Sequence, residues 1–164
     1  MIKKCFVLVM VFCIFAVSPL SAAMVSFLVI ETGLPMEAAS NQHSGLWESG
    51  LLDEFFEAGH IVSNSPILRI DQKPSTPFPE EAEEAFDEAV AGGAEYFILA
   101  VLDYTVASDG SVEKPGKVSL KVYKAVPQKL LYERQYADKT SRSTADEFSN
   151  VKKTVRGLVS RVKG

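Results

Sequence analysis

Two histidines and a few loop serines are the side chains of this 164-residue sequence best suited to acid–base or nucleophilic chemistry. His43 and His60 lack the i, i+4 spacing and the His-Glu-x-x-His run of zinc enzymes, so we predict no metal site. Ser44, Ser63 and Ser65 lie in predicted loops, without the Gly-x-Ser-x-Gly turn of α/β hydrolases. A catalytic triad is assembled in space, so a small secreted hydrolase that uses His60 stays open as an alternative.

The loop of residues 31–44 is the predicted binding site for a ligand or partner. It follows the carboxyl end of a strand in an α/β unit, where ligands tend to bind. The candidate residues are Glu31, Thr32, Asn41, Gln42, His43 and Trp47. Trp47 also fits the core stripe of the following helix. Gly33 stands alone, without the glycine spacing of a phosphate-binding loop, so no cofactor is predicted.

The first 23 residues resemble a secretory signal peptide, with lysines at positions 3 and 4, an apolar run over 5–17 and small residues at 21–23. The apolar run is shorter than the roughly 20 residues that cross a bilayer. We therefore predict cleavage before Met24 and one domain over residues 24–164, located in the periplasm or fully secreted. Both cysteines precede Met24, which removes thiol chemistry and disulfides from the mature chain.

The two halves of the sequence carry opposite charge. Between Met24 and Glu113 there are 17 acidic residues and two basic ones, whereas from Lys114 onward there are 13 basic residues and four acidic ones. The predicted basic surface of the last helix consists of Lys152, Lys153, Arg156, Arg161 and Lys163. It could pair with acidic elements inside the fold, or with the acidic second helix of another copy. Weak contact with a membrane surface is a further alternative, but nucleic acid is not expected, because no aromatic residues interleave the lysines.

Hydrophobic periodicity predicts the element order β-α-β-α-β-β-β-α. The first helix carries Trp47, Leu51 and Phe55 on one side, and Pro66 interrupts the second strand. A capping box of Thr144 and Glu147 is predicted to open the last helix. Two early βα units favour parallel strands and the late hairpins favour antiparallel ones. We thus predict a single α/β (α+β) domain with a mixed sheet of about five strands and three main helices.

Two segments carry a family resemblance. Residues 51–62 form a leucine-rich helix closed by glycine and followed by an apolar strand, and residues 93–99 read Gly-Ala-Glu-Tyr-Phe-Ile-Leu. This pattern resembles the domain shared by the amino-terminal part of TolB, the lipoprotein activators of penicillin-binding proteins and the curli secretion lipoprotein. The resemblance implies binding and assembly rather than catalysis. No cysteine stands at the predicted cleavage site to receive a lipid, in contrast to the lipoproteins of that group.

The predicted function is that of an exported, non-catalytic domain of the cell envelope. Its expected partner is an envelope protein or a second copy of the chain, which would make it an accessory or structural subunit. The alternatives are a small secreted hydrolase and a small-ligand-binding protein, each using the loop of residues 31–44. The membrane is expected only through an uncleaved signal segment or the weak surface contact.

Overall fold

A computed structural model describes residues 22–36, 41–108, 110–138 and 140–163. The predicted signal peptide before Ala22 lies outside these residues. The strands are β1 (Met24–Thr32), β2 (Ile61–Asn64), β3 (Leu68–Ile70), β4 (Tyr96–Asp103), β5 (Lys117–Lys124) and β6 (Lys129–Tyr136). The helices are α1 (Gln42–Glu57), α2 (Glu83–Ala91), which a short 3-10 turn precedes, and α3 (Thr144–Val159).

The strands form one mixed sheet in the order β2-β1-β4-β5-β6, and β3 pairs with β1 beyond the end of β2. Strand β1 is parallel to β2, β3 and β4, whereas β4, β5 and β6 are antiparallel neighbours. The predicted mixed sheet and element order are confirmed. The sheet has six strands rather than about five, because the interruption at residues 65–67 divides the second predicted strand into β2 and β3.

Helices α1 and α3 cover one face of the sheet, which we call the α1/α3 face. Trp47, Leu51 and Phe55 of α1 are buried in its core, as their helical spacing predicts, together with Leu158 of α3. The two helices cross closely at Gly50, where an added Cβ would lie 2.6 Å from Val151 Cγ1. A glycine at this position therefore permits the two helices to approach each other.

Helix α2 covers part of the opposite face, which we call the α2 face. Its core is aromatic: Phe78 contacts Phe86, Phe97 and Tyr123 with ring centroids 5.1–6.2 Å apart. The proline-rich segment 71–79 crosses this face, and Tyr123 Oη donates a hydrogen bond to the Pro77 carbonyl at 2.7 Å. The part of β5 and β6 next to this segment is lined by polar side chains.

The start of α3 differs from the prediction. Ser143, rather than Thr144, is the N-cap, and its hydroxyl accepts a hydrogen bond from the Asp146 backbone N–H at 3.1 Å. The predicted capping box of Thr144 and Glu147 is therefore wrong by one position. Glu147 is instead buried and points toward α1, where it bonds to another side chain.

The amino-terminal end of the sheet is fixed by residues next to the predicted cleavage point. The Ala23 N–H donates to His60 Nδ1 at 3.3 Å, and the Ile61 N–H donates to the Ala23 carbonyl at 3.1 Å. The His60 ring also lies 5.8 Å from that of Phe55. Within the described residues, no helix is long and apolar enough to cross a membrane.

Candidate functional site at the carboxyl end of the parallel strands

Buried polar side chains meet where β1 ends, below the first turns of α1 and α3. Glu31, the penultimate residue of β1, is 1% exposed. Its carboxylate accepts hydrogen bonds from Arg69 Nε at 2.9 Å and from the Asn41 backbone N–H at 3.3 Å. Glu31 and Arg69 are register partners in β1 and β3, so both project from the α1/α3 face. Glu31 thus joins β3 to the start of α1.

An imidazole–carboxylate pair connects α1 to α3. His43 Nδ1 lies 2.7 Å from Glu147 Oε2, and their side chains are 15% and 5% exposed. His43 is set in place by Asn41, the N-cap of α1, whose side-chain oxygen accepts the His43 backbone N–H at 2.9 Å. The pair borders a shallow open cleft of about 350 Å³ lined by Glu113, Lys114 and residues 141–144.

A hydroxyl pair lies beneath these residues. Ser44 Oγ is 2.7 Å from Tyr104 Oη, and both residues are buried. Burial raises the pKa of Tyr104 well above its usual value, and the negative charges of Glu31 and Glu147 raise it further, although the hydrogen bond to Ser44 acts in the opposite direction. Tyr104 therefore stays neutral at physiological pH and acts as a hydroxyl group, not as a phenolate.

The structure places the predicted site residues in four different environments. Glu31, Asn41 and His43 belong to the hydrogen-bonded group that they form with Ser44, Arg69, Tyr104 and Glu147, which we call the polar cluster. Thr32 projects from the other face of the sheet, where its hydroxyl lies 3.3 Å from Asp103 Oδ1. Trp47 is 2% exposed in the core, 5.8 Å from the Tyr136 ring, and so belongs to the core stripe. Gln42 is exposed on the first turn of α1. A binding role for these residues stays a prediction.

Sequence reasoning missed Arg69, Tyr104 and Glu147. Arg69 could have been found, because it is one of only two basic residues between Met24 and Glu113 and a buried Glu31 would need a cation. Tyr104 and Glu147 are 60 and 104 positions from their partners, and no local pattern indicates those contacts.

Among the described residues, the predicted hydrolase site is not assembled. The Ser44 hydroxyl contacts Tyr104, whereas His43 contacts Glu147. His60 lies at the opposite end of the sheet, bonded to Ala23, so its suggested cooperation with the loop of residues 31–44 is wrong. Within the described parts of the chain, no group of three or more His, Cys, Asp or Glu side chains is placed to hold a metal ion.

Some side chains of the predicted basic surface make contacts within the fold. Lys152 Nζ is 3.2 Å from Glu57, and Arg156 binds both carboxylate oxygens of Glu54 at 2.8 and 2.9 Å. The Arg161 guanidinium lies 4.8 Å from the Tyr132 ring centroid. The basic helix therefore pairs with acids of α1. The acidic helix α2 lies across the sheet, so it is not the internal partner of α3.

Comparison with known proteins gives structural likenesses only. No protein-family model and no curated protein matches the chain. The PelC dodecamer of Paraburkholderia phytofirmans is 13% identical over 89% of this chain and 92% of its own, with a TM-score of 0.42. Lipoprotein GNA1162 from Neisseria meningitidis is 9% identical over 85% of this chain and 99% of its own, with a TM-score of 0.43.

TolB from Acinetobacter baumannii is also among these structures. It is 13% identical over 89% of this chain, which spans 28% of TolB, with a TM-score of 0.41. The resemblance to the TolB group predicted from the sequence is thus confirmed as a weak likeness of fold. It assigns no function, substrate or partner to the chain.

Proposed function

We propose that the chain is exported and works in the cell envelope as a non-catalytic domain that binds a protein. The signal-like first 23 residues support export. The contacts of the polar cluster support a non-catalytic role, because Ser44 bonds to Tyr104 and His43 bonds to Glu147. In a nucleophile–base pair the serine would contact the histidine. The cluster then serves to hold the loop and the two helices against the sheet.

An exposed apolar surface carries the proposal of protein binding. Leu52 and Phe56 lie one turn apart on the flank of α1 that faces away from α3, and they are 41% and 70% exposed. Grouped large apolar side chains at a surface mark interaction sites, and buried aromatic anchors supply much of the binding energy. We call these two residues the Phe56 surface.

The surroundings of the Phe56 surface indicate the chemistry of its partner. Residues 42–68 contain four acidic side chains and no lysine or arginine. Asp53 and Glu57 stay 42% and 59% exposed although Lys152 lies near both. Strand β2 has β1 as its pairing partner in the described sheet, which leaves its outer edge open. A matching partner would offer apolar side chains rimmed by lysine or arginine.

Site-specific photocrosslinking in the expressing cell tests the proposal. A photoreactive amino acid at Phe56 should give one adduct of defined mass, and Leu52→Ser should abolish it. The matched control is the same amino acid at Glu84, which is exposed on α2 across the sheet. Equal adducts at both positions, or none at Phe56, would contradict the proposal.

Self-association is a second candidate, favoured by the opposite edge of the sheet. Val126, Leu130 and Leu131 of the β5–β6 hairpin are 67%, 39% and 45% exposed. Lys129 and Arg134 lie in the same hairpin, and neither forms an ion pair with a described residue. This surface, which we call the Leu131 surface, is apolar with a basic rim, whereas the Phe56 surface has an acidic rim. Such an unlike pair of surfaces would join copies head to tail.

A mixing experiment distinguishes self-association from binding to another protein. The average oligomer mass of the purified mature protein should increase with protein concentration, and this increase should be larger at low salt. Phe56→Ser and Leu131→Ser should each be monomeric. When mixed, they should form a dimer and nothing larger, because each retains one intact surface. A wild-type monomer at high concentration and low salt would exclude self-association, and photocrosslinking to a different protein would then identify the partner class.

A further inference from the structure

A small cavity on the α2 face is independent of the polar cluster and of the Phe56 surface. It has a volume of about 140 Å³ and lies where α2 leaves β5 and β6 uncovered. Its floor is formed by Val101, Ser119 and Gln135, which are register partners across β4, β5 and β6. Lys73 and Pro74 of the segment that crosses this face form one wall.

Lys121 is the feature of the cavity that points to a ligand. It is 8% exposed, and its ammonium donates one hydrogen bond, to the Pro77 carbonyl at 2.7 Å. The nearest carboxylate oxygen, Glu133 Oε1, is 3.9 Å away, beyond hydrogen-bond distance. An ammonium has three donors, and a buried cation is costly unless hydrogen-bonded. The Lys121 ammonium therefore has N–H donors available to a ligand where it lines the cavity.

The other charges at the cavity leave it cationic. Lys73 pairs with Asp103, so these two charges offset each other. Lys117, the register partner of Asp103, makes no ion pair of its own with a described residue. Lys117 and Lys121 are four residues apart on β5 and project from the same face, with Ser119 midway between them. Glu133 balances one of these two ammonium groups, and the second is not offset.

We propose that this cavity binds a small oxyanion, a carboxylate or a phosphate, through Lys121, Lys117 and the Ser119 hydroxyl. Charge-assisted hydrogen bonds from ammonium groups to such oxygens are short and strong. A cavity of this size holds a few water molecules or one group such as acetate or phosphate.

Nuclear magnetic resonance titration of the mature protein tests the site. Inorganic phosphate and acetate are added in separate series at constant ionic strength, with chloride as the reference salt. We expect saturable shifts of the amide resonances of residues 117–121 and of Lys73, Ser75 and Thr76 with at least one of the two anions. Lys121→Met should weaken binding about tenfold or more, since it removes the central donor.

Lys124→Met is the matched control. Lys124 lies on the same strand but on the α1/α3 face, over the Tyr96 ring, so its loss should leave anion affinity unchanged. If Lys121→Met does not fold, Lys117→Met provides the test, with weaker binding expected. Non-saturable shifts with both anions, equal to those with chloride, would overturn the proposal. Equal loss of affinity in Lys124→Met would also overturn it, because binding would then reflect overall charge.

Discussion

The two faces of the sheet are covered to different extents. The α1/α3 face is covered by two long helices, and polar residues beneath them, such as Ser44 and Tyr104, are buried and bonded to one another. The α2 face is covered by one short helix and a proline-rich segment, which leaves Lys121 beside an open cavity. A closed face must satisfy all its polar groups internally, whereas a half-covered face can keep donors available to a ligand. Stability should therefore depend on the first face and anion binding on the second.

The largest expected effect comes from the core of the α1/α3 face. Phe55→Ala should lower the free energy of unfolding by about 4 kcal/mol, because Phe55 is 0% exposed and its loss leaves a cavity. The neighbouring Phe56, 70% exposed, is the matched control, and Phe56→Ala should change stability by less than about 0.5 kcal/mol. Urea denaturation measures both. Similar losses in the two variants would mean that α1 packs in another orientation.

The next largest effect compares the two basic residues of the acidic half, one on each face. Arg69→Met should lower the free energy of unfolding by about 3 kcal/mol, since it leaves the buried Glu31 carboxylate without its cation. Lys73→Met should lower the free energy of unfolding by less than about 0.5 kcal/mol, because the Lys73 side chain is 57% exposed. The same urea series at neutral pH measures the difference. If the two costs were equal, the contrast between a closed and a half-open face would not hold.

Two serines, one on each face of the sheet, allow the same comparison of stability with smaller expected effects. Ser44→Ala should cost about 1.5 kcal/mol because it removes the hydrogen-bond partner of the buried Tyr104 hydroxyl. Ser119→Ala, on the floor of the α2-face cavity, should be neutral within about 0.5 kcal/mol. Tyr104→Phe combined with Ser44→Ala should cost less than the sum of the two single variants. Strict additivity would show that the two hydroxyls do not interact in solution.

The smallest expected effect depends on pH. Burial opposes ionisation of Asp138, but the Ser141 hydroxyl, the Thr140 and Ser141 backbone N–H groups and the Lys114 ammonium together lower its pKa well below the usual value. A carboxylate with a lowered folded-state pKa contributes stability above its unfolded pKa, near 4, and that contribution fades as the pH falls further. Asp138→Asn should therefore cost about 1 kcal/mol at pH 7.

The difference between wild type and Asp138→Asn should shrink steadily as the pH is lowered below about 4. Thermal unfolding across that range measures it. A difference that stays constant with pH would show that the amide loses hydrogen-bond geometry, with no contribution from charge.

Local sequence patterns predicted the elements of this fold but not the contacts between them. The spacing of Trp47, Leu51 and Phe55 identified α1 and its buried side, and Pro66 marked the break between β2 and β3. These signals act over a few residues, through helical periodicity and a missing backbone donor.

The contacts of the site depend on which elements become neighbours in space. Glu147 meets His43 only because α3 packs beside α1, and its local sequence context suggested a helix cap instead. The cavity beside Lys121 likewise requires segment 71–79 to cross the sheet, a course that its prolines do not specify. Neither arrangement follows from spacing along the chain.

The hydrogen bonds of Ala23 bear on the order of events during export. The predicted cleavage point, between Ala23 and Met24, lies where the chain is already bonded to His60 and Ile61. A peptidase needs an extended, accessible backbone, so it could cut there only before β2 docks beside β1. Cleavage at that bond would then have to precede folding, and the mature chain would lose the two hydrogen bonds that Ala23 makes.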